Sequence, residues 1–261
     1  VCADSTEYLR SATANYSVLY LDPARRDGVG HKTVAIGDCT PDVGAILDAL
    51  LCASRYVVIK LSPMLDISAA LVVLKCVREI HVVSVKGECK ELLFVLDRLY
   101  EGKPVYYAVN LGLSDQVFTC THEEKNRALL RVASEHEASA CATYIYEPHA
   151  SILKAGLQDV LCERYAVEKL HPMSNLFVSP SPVQDFPGRG FEIAASCGFG
   201  KKELRAMLAG VTKANITVRN FPTSVAELRK KLRLAEGGDV YLFATTVADG
   251  SHRLIRCIKH G

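Results

Sequence analysis

Residues 16–23 read Tyr-Ser-Val-Leu-Tyr-Leu-Asp-Pro, and residues 56–63 read Tyr-Val-Val-Ile-Lys-Leu-Ser-Pro. Each stretch is a short apolar run stopped by a proline, which is typical of a buried β-strand followed by a loop. Between them, isoleucine and leucine residues recur at helical spacing and predict a helix from about residue 42 to 54. Strands rich in β-branched residues that alternate with helices predict a parallel sheet covered on both faces. The expected fold class is therefore α/β.

The alternation continues up to about residue 121. It predicts a helix over 66–77, a strand over 80–85, a helix over 88–100 and a hairpin over 106–120. Thr121 and Glu124 have the spacing of a capping box, which predicts a helix that starts there and runs to about residue 137. Residues 1–121 are thus expected to form one α/β unit.

The pattern changes after residue 142. A strand over 143–146, a helix over 150–165 and a strand over 175–179 precede a cluster of proline and glycine between 180 and 190, which indicates a boundary. Beyond it the sequence predicts strands over 190–195, 215–219, 239–246 and 253–258, and helices over 201–209 and 224–234. We therefore expect three domains, at 1–121, 122–185 and 186–261, the last two being small α+β units.

The composition is that of an ordinary globular protein. The chain has 261 residues, 23% of them charged, no tryptophan and a net charge of +2, which excludes disordered and fibrous classes. No stretch approaches the ~18 uninterrupted apolar residues that a membrane span needs, and no signal peptide is visible. Ten cysteines are spread evenly without a Cys-x-x-Cys pair, which favours reduced thiols in the cytoplasm and argues against a metal site.

Charge is distributed unevenly along the chain. Residues 1–185 contain 18 lysines and arginines against 23 acidic residues, a net charge of −5, whereas residues 186–261 contain 13 against 6, a net charge of +7. A compact basic unit beside a mildly acidic body is typical of an appended nucleic-acid-binding module. The alternative is a solvated surface whose imbalance arises by chance.

Three charge-rich loops directly follow the apolar strands. They are Asp-Pro-Ala-Arg-Arg-Asp at 22–27, Lys-Leu-Ser-Pro-Met-Leu-Asp at 60–66 and Lys-Gly-Glu-Cys-Lys-Glu at 86–91. Ligands of open parallel sheets bind outside the carboxyl ends of the strands, so these loops predict a functional edge. For any single loop the alternative holds that strand ends are polar because they meet water.

The first loop resembles the acceptor-site segment of class I S-adenosylmethionine-dependent methyltransferases. In that family an acidic residue after the third strand contacts the adenine of the cofactor, and an Asp/Asn-Pro-Pro-aromatic segment after the fourth strand holds the group that is methylated. Asp4 matches the first position, and Asp22-Pro23 matches the start of the second.

This resemblance implies roles for individual residues. Asp22, Pro23 and Arg25 would take part in methyl transfer, and Asp4 would bind S-adenosylmethionine. The far wall of the acceptor pocket would be formed by Lys60, Ser62 and Asp66. Alternatively, Asp22 caps a strand-to-helix turn, and Arg25 and Arg26 pair with Asp27 or Asp38 instead of binding phosphate.

The sequence departs from the family pattern at two places. Ala24-Arg25 replaces the Pro-aromatic pair and is closer to RNA uracil-C5 methyltransferases, but these use a cysteine after the next strand, where residues 60–63 have none. The glycine-rich cofactor loop and the acidic ribose-binding residue are also absent, and Gly28-Val-Gly30 follows the wrong strand. The simplest account of these absences is that residues 1–110 are the second half of a Rossmann-like methyltransferase domain, with the first half missing from this chain.

Several longer motifs extend the resemblance to the whole chain. They are Leu-Asp-Pro-Ala-Arg-Arg-Asp (21–27), Lys-Leu-Ser-Pro-Met-Leu-Asp (60–66), Gly-Glu-Cys-Lys-Glu-Leu-Leu (87–93), Tyr-Glu-Pro-His-Ala-Ser-Ile-Leu-Lys-Ala-Gly (146–156), Asp-Phe-Pro-Gly-Arg (185–189) and Arg-Asn-Phe-Pro (219–222). Together they resemble bacterial, mainly Bacteroidetes, class I methyltransferase-like proteins with a ferredoxin-like domain and a C-terminal THUMP-like domain. The resemblance implies an RNA substrate, such as tRNA or rRNA.

The C-terminal unit would position that RNA. Its candidate RNA-binding residues are Lys201, Lys202, Arg205, Arg219, Arg229, Lys230 and Arg233. Such contacts to phosphate orient RNA without reading its sequence, and the alternative is a solvated helix face. Glu88 and Glu91 are interpreted as the acidic start of a helix, and His149 as a polar first-turn residue instead of a catalytic one.

The leading interpretation is part of an S-adenosylmethionine-dependent methyltransferase that acts on RNA. The main alternative is a non-catalytic RNA-binding protein built on a methyltransferase scaffold. A third interpretation, methylation of a protein or small molecule, fits the Asp22-Pro23 turn but does not explain the basic C-terminal unit.

Overall fold

The computed structural model describes residues 2, 4–11, 15–25, 36–112, 115–134 and 143–259. Its contacts divide the chain into two compact units. The first comprises Val1–Asn126 and Ala150–Gly156, and the second comprises Arg127–His149 and Leu157–Gly261. The division into three domains stays a prediction.

The first unit is built around a six-stranded sheet. In chain order its elements are α1 Ser5–Ser11, β1 Tyr16–Leu21, β2 Ala24–Arg25, a 3₁₀-helix Ile36–Asp38, β3 Cys39–Thr40, α2 Val43–Ala53, β4 Ser54–Leu61, α3 Ile67–Val73, β5 Val77–Val85, β6 Glu88–Asp97, β7 Val105–Leu111, β8 Gln116–Cys120, α4 His122–Arg127 and α5 Ala150–Ala155. The large sheet has the strand order β1-β4-β6-β5-β7-β8, and β2 pairs with β3 separately.

The α/β class is confirmed by the first two strands. β1 and β4 are parallel, with Tyr16 opposite Ser54 and Leu21 opposite Ile59. The predicted helix α2 connects them and begins where Asp42 accepts hydrogen bonds from the backbone N–H groups of its first turn. The carboxyl ends of both strands therefore meet at one edge of the sheet.

The helix predicted over 88–100 is wrong, because this segment forms strand β6. Lys86 and Gly87 both have positive φ, as a two-residue hairpin turn requires, so the chain reverses directly after β5. β6 then pairs antiparallel with both β4 and β5. The leucines and glutamates of this segment favour a helix locally, but pairing on both sides outweighs that propensity. The sheet is consequently mixed.

One face of this sheet is buried and the other is not. Ile59, Ile80 and Phe94 face the same side and are fully buried, with α2 packed on β4 and α5 packed on β5, β6 and β7. On the opposite face Tyr20 and Val117 are exposed. The prediction that both faces of the sheet are covered is therefore wrong for the part of the chain that the structure describes.

The second unit contains a seven-stranded sheet. Its elements are β9 Tyr144–Pro148, α6 Gln158–Arg164, β10 Glu168–Lys169, β11 Phe177–Ser179, β12 Gly188–Cys197, α7 Lys201–Met207, β13 Asn215–Arg219, α8 Val225–Leu232, β14 Val240–Thr246 and β15 His252–Lys259. The strand order is β10-β11-β9-β12-β15-β14-β13. Because β12 pairs with β9 on one side and β15 on the other, the sheet continues across the boundary predicted at residue 186.

The C-terminal β-α-β-α-β-β pattern is confirmed. Both helices pack on one face of the sheet, where Met207 of α7 and Leu228 of α8 join the same apolar cluster. The opposite face carries a separate cluster that includes Phe191 and Phe243. The capping box predicted at Ser224 and Glu227 is present at the start of α8.

Two other predicted helices are shorter than expected. The helix predicted from 121 to 137 ends at Arg127, although Thr121 accepts the hydrogen bond from the Glu124 N–H as expected. The helix predicted over 150–165 is divided into α5 and α6, and the break is at Gly156, which has a positive φ of 69°. This conformation is disfavoured for side chains other than glycine.

The alternation along β6 leads to a stability prediction. Phe94→Ala should lower the free energy of unfolding by about 3–5 kcal/mol, because the ring is fully buried. Val95→Ala, on the half-exposed face, should cost less than about 1.5 kcal/mol. Urea unfolding followed by circular dichroism measures both values, and equal losses at the two positions would contradict the strand assignment.

Candidate functional site

Residues from four segments line a cleft of about 280 Å³ at the edge where β1 and β4 end. The residues that bear on its chemistry are Asp22, Pro23, Cys39, Lys60, Ser62, Lys90 and Glu91. All three charge-rich loops, the last of which forms a hairpin turn and the start of β6, therefore contribute residues to this cleft. This convergence follows from the strand order, since the carboxyl end of β4 lies beside the amino end of antiparallel β6.

The central contact of the cleft is an ion pair. Lys60 Nζ lies 2.6 Å from Asp22 Oδ2, and the two side chains are 30% and 48% exposed. The hydrogen bond to Asp22 raises the pKa of Lys60 above its ordinary value, more than partial desolvation lowers it, and the charge of Glu91 adds to the increase. A pair this exposed contributes little to stability, so its main consequence is the orientation of the Asp22 carboxylate.

The other residues predicted for the acceptor site do not all lie at the cleft. Ser62 lies at the cleft and accepts a hydrogen bond from the Met64 N–H, whereas Asp66 is not among the lining residues. Asp66 instead caps α3 by accepting from the Ala69 N–H at 2.8 Å. The backbone of Arg25 pairs with Cys39 in the β2–β3 ribbon, while its side chain and all of Arg26 lie outside the described residues.

Sequence reasoning missed one lining residue, Cys39, whereas Lys90 and Glu91 belong to the third charge-rich loop that was predicted at this edge. Cys39 reaches the cleft because β3 pairs with β2, and Lys90 and Glu91 reach it because β6 is a strand. The interpretation of Glu88 and Glu91 as a helix start is therefore wrong; Glu88 pairs with Lys90 at 2.5 Å on the strand. The Lys86-Gly87 dipeptide was the available signal for this hairpin.

Asp4, the residue matched to cofactor binding, is the N-cap of α1. Its carboxylate accepts hydrogen bonds from the backbone N–H groups of Thr6 and Glu7 and from the Thr6 hydroxyl. Among the described residues of the first unit, no glycine-rich loop joins a strand to a helix. These residues therefore do not fit the methionine and ribose parts of S-adenosylmethionine by themselves.

Of the predicted RNA-binding residues on α7 and α8, including Arg233 at the end of α8, all except Arg229 are exposed. We define the basic helix face as Lys201, Lys202, Arg205, Lys230, Lys231 and Arg233, all of which are exposed. Arg229 is half-buried, donates to the Ala214 carbonyl at 3.1 Å and lines an open depression of about 610 Å³ together with Lys230 and Arg233. Basic residues at the end of α8 also interact favourably with the helix dipole, which is the structural alternative.

The side chain of Arg219, another predicted RNA-binding residue, forms an ion pair with Glu147. Its guanidinium and that of Arg189 donate to the two oxygens of Glu147, a carboxylate that is only 6% exposed. Beside this cluster, burial and the positive charge of Arg189 lower the pKa of His149, and together they outweigh the opposite effect of the Glu147 charge. Glu147 was missed from the sequence, although an acidic residue at the end of the apolar run 144–148 indicates a buried partner.

Two negative findings apply to the described ranges only. Within them no group of three or more histidine, cysteine or acidic side chains could hold a metal ion. No helix there is long and apolar enough to span a membrane.

Two family models match the C-terminal part of the chain. Residues 144–187 match a model described as a ferredoxin-like domain, and residues 188–259 match a model described as THUMP domain-like. The chain therefore contains a ferredoxin-like domain followed directly by a THUMP-like domain. Because β12 begins at residue 188 and pairs with β9, these two domains share one sheet.

The chain as a whole is similar to a crystal structure from Porphyromonas gingivalis W83, described as that of a candidate methyltransferase. The identity is 36%, the TM-score is 0.83, and the match covers 94% of this chain and 60% of the other. The resemblance to Bacteroidetes methyltransferase-like proteins is confirmed, and the chain spans about 60% of that relative's length. No protein with curated annotation shows significant similarity.

The Asp22–Lys60 pair leads to a prediction about reactivity. Asp22→Asn should lower the pKa of Lys60 toward its ordinary value, because the hydrogen bond to a carboxylate is the main cause of the increase. Acetylation of Lys60, followed by mass spectrometry as a function of pH, should then begin at lower pH. Asp66→Asn is the matched control, since Asp66 caps α3, and unchanged reactivity in Asp22→Asn would refute the pairing.

Proposed function

We propose that this chain is part of an S-adenosylmethionine-dependent methyltransferase that acts on RNA. The observation that carries the proposal is the basic helix face of the THUMP-like domain, where the lysine and arginine side chains of α7 and α8 are exposed. Similarity to a candidate methyltransferase supports the catalytic part of the proposal. Cofactor use, the RNA target (tRNA or rRNA) and a cytoplasmic location belong to the proposal.

The basic helix face would hold the RNA backbone. Phosphate contacts from flexible lysines orient a nucleic acid without reading its sequence, which suits a module that presents RNA to a modifying domain. Arg219 is a weaker candidate than the others, because its guanidinium already binds Glu147 and the Val218 carbonyl. Lys201, Lys202 and Lys230 are therefore the main candidates for backbone contacts.

The cleft at Asp22 would hold the group to be methylated. The Asp22 carboxylate can accept a hydrogen bond from an N–H of the acceptor base, and Lys60 fixes the direction in which the carboxylate points. Pro23 makes the turn rigid because its ring fixes φ. The cofactor would supply an electrophilic methyl group in the complete protein.

The second candidate function is that of a non-catalytic RNA-binding protein built on a methyltransferase scaffold. The observation that favours it is Asp4, whose carboxylate serves as a helix cap. The two functions share RNA binding and differ in cofactor binding.

The RNA-binding proposal predicts a strong dependence on salt. The logarithm of the association constant for fluorescein-labelled bulk bacterial tRNA, measured by anisotropy, should fall linearly with the logarithm of salt concentration. Lys202→Gln and Lys230→Gln should each reduce the magnitude of that slope by about 1. Lys259→Gln, exposed at the end of β15, is the control and should leave it unchanged. Absence of tRNA and rRNA binding by the wild-type chain would overturn the proposal.

The catalytic proposal predicts a difference between this chain and its longer relative. Calorimetry should detect S-adenosylmethionine binding to the Porphyromonas gingivalis protein and little or none to this chain, because the described residues fit only part of the cofactor. Failure of both proteins to bind would overturn the enzyme interpretation in favour of the non-catalytic one. Tight binding of S-adenosylmethionine by this chain would contradict the conclusion that the described residues fit only part of the cofactor.

A further inference from the structure

Three aromatic rings form a row at one edge of the seven-stranded sheet. Phe199 follows the end of β12, Phe221 follows the end of β13, and His252 begins β15. The centroids of Phe199 and Phe221 are 4.9 Å apart with the rings tilted by 31°, and Phe221 and His252 are 4.9 Å apart in an edge-on arrangement. The strand directions explain the row, because β12 and β13 end at the edge where β15 starts.

The row is open to solvent. Phe199 and Phe221 are partly exposed at the rim of the apolar cluster under α7 and α8, and His252 is exposed. Packing against the cluster holds the two phenylalanine rings from one side. The rings are therefore positioned before any ligand arrives, so little conformational entropy is lost when one binds.

The surroundings of the row are basic. Lys231 Nζ lies 5.6 Å from the centroid of the Phe199 ring, and Lys201 and Lys202 follow Phe199 at the start of α7. All three lysines belong to the basic helix face and are exposed. Aromatic rings beside flexible cations are the combination by which proteins bind single-stranded nucleic acid.

We propose that the row Phe199–Phe221–His252 is a stacking surface for unpaired bases of an RNA, with Lys201, Lys202 and Lys231 holding the adjacent phosphates. The inference rests on the proposed RNA function and specifies the part of the RNA that is bound. A base in a duplex already stacks on its neighbours and presents only its edge, whereas an unpaired base offers a face to the rings. The surface is therefore selective for single strands.

The chain offers a direct test because it contains no tryptophan. Phe221→Trp places one fluorophore in the row, and its emission should be quenched when a base stacks on it. The probes are a 12-nucleotide oligouridine and an RNA hairpin with a fully paired stem and a short tetraloop. Oligouridine should quench the emission, whereas the hairpin should not. Ile258→Trp is the matched control, since Ile258 is exposed near the far end of β15 and should show no quenching.

A second variant does not depend on the packing of Phe221. His252→Ala removes an exposed ring, and the affinity for oligouridine should fall about fivefold or more, the usual loss for one stacking contact. Affinity for the hairpin should change less than about twofold, because the phosphate contacts remain. Lys259→Gln again serves as the control.

The outcomes separate the two proposals. Equal losses for oligouridine and hairpin, or an unquenched tryptophan at 221 in a protein that binds oligouridine, would overturn the stacking surface and leave RNA binding by the basic helix face intact. Absence of binding to oligouridine, the hairpin and bacterial tRNA would overturn both.

Discussion

The pairing of β9 with β12 is the constraint on which the second unit depends. At Gly188 the strands approach so closely that a Cβ atom would lie 2.2 Å from the carbonyl oxygen of Glu147, so only glycine fits. This approach joins the ferredoxin-like and THUMP-like domains into one sheet. It also places Glu147 where Arg189 and Arg219 both donate to its buried carboxylate. A buried charge of this kind is tolerated only with such partners.

The Glu147 cluster gives a physical reason for three of the motifs that carry the family resemblance. Glu147, Arg189 and Arg219 come from the segments 146–156, 185–189 and 219–222, which are distant in sequence. A motif that resembles a substrate-binding arginine can therefore have a structural role. For Arg219 the ion pair competes with the phosphate contact that the sequence suggests.

The candidate sites of the first and second units differ in construction. The cleft in the first unit combines two carboxylates, two lysines and one cysteine at a strand edge, which suits the orientation of one small group. The THUMP-like domain instead presents exposed cations and aromatic rings over two helices and one sheet edge, which suits an extended polymer. Orientation of one group and retention of a polymer are the two tasks that the proposed RNA methyltransferase would have to combine.

The sequence by itself determined the α/β class, the parallel pair β1 and β4, the order of elements in the THUMP-like domain and the capping box at Ser224. These features depend on local periodicity, on turn residues and on short-range hydrogen bonds, all of which are visible within about ten residues. Asp22, Lys60 and Ser62 were predictable as one site because the carboxyl ends of parallel strands share an edge.

Only the tertiary structure decided that residues 88–97 form a strand and that Arg219 binds Glu147. A segment whose leucines and glutamates favour a helix becomes a strand when neighbours on both sides offer backbone hydrogen bonds. Likewise, the row of Phe199, Phe221 and His252 exists only because three strands that are separate in sequence end or begin at the same edge. Such contacts join residues tens of positions apart, and no local pattern encodes which partner a side chain meets.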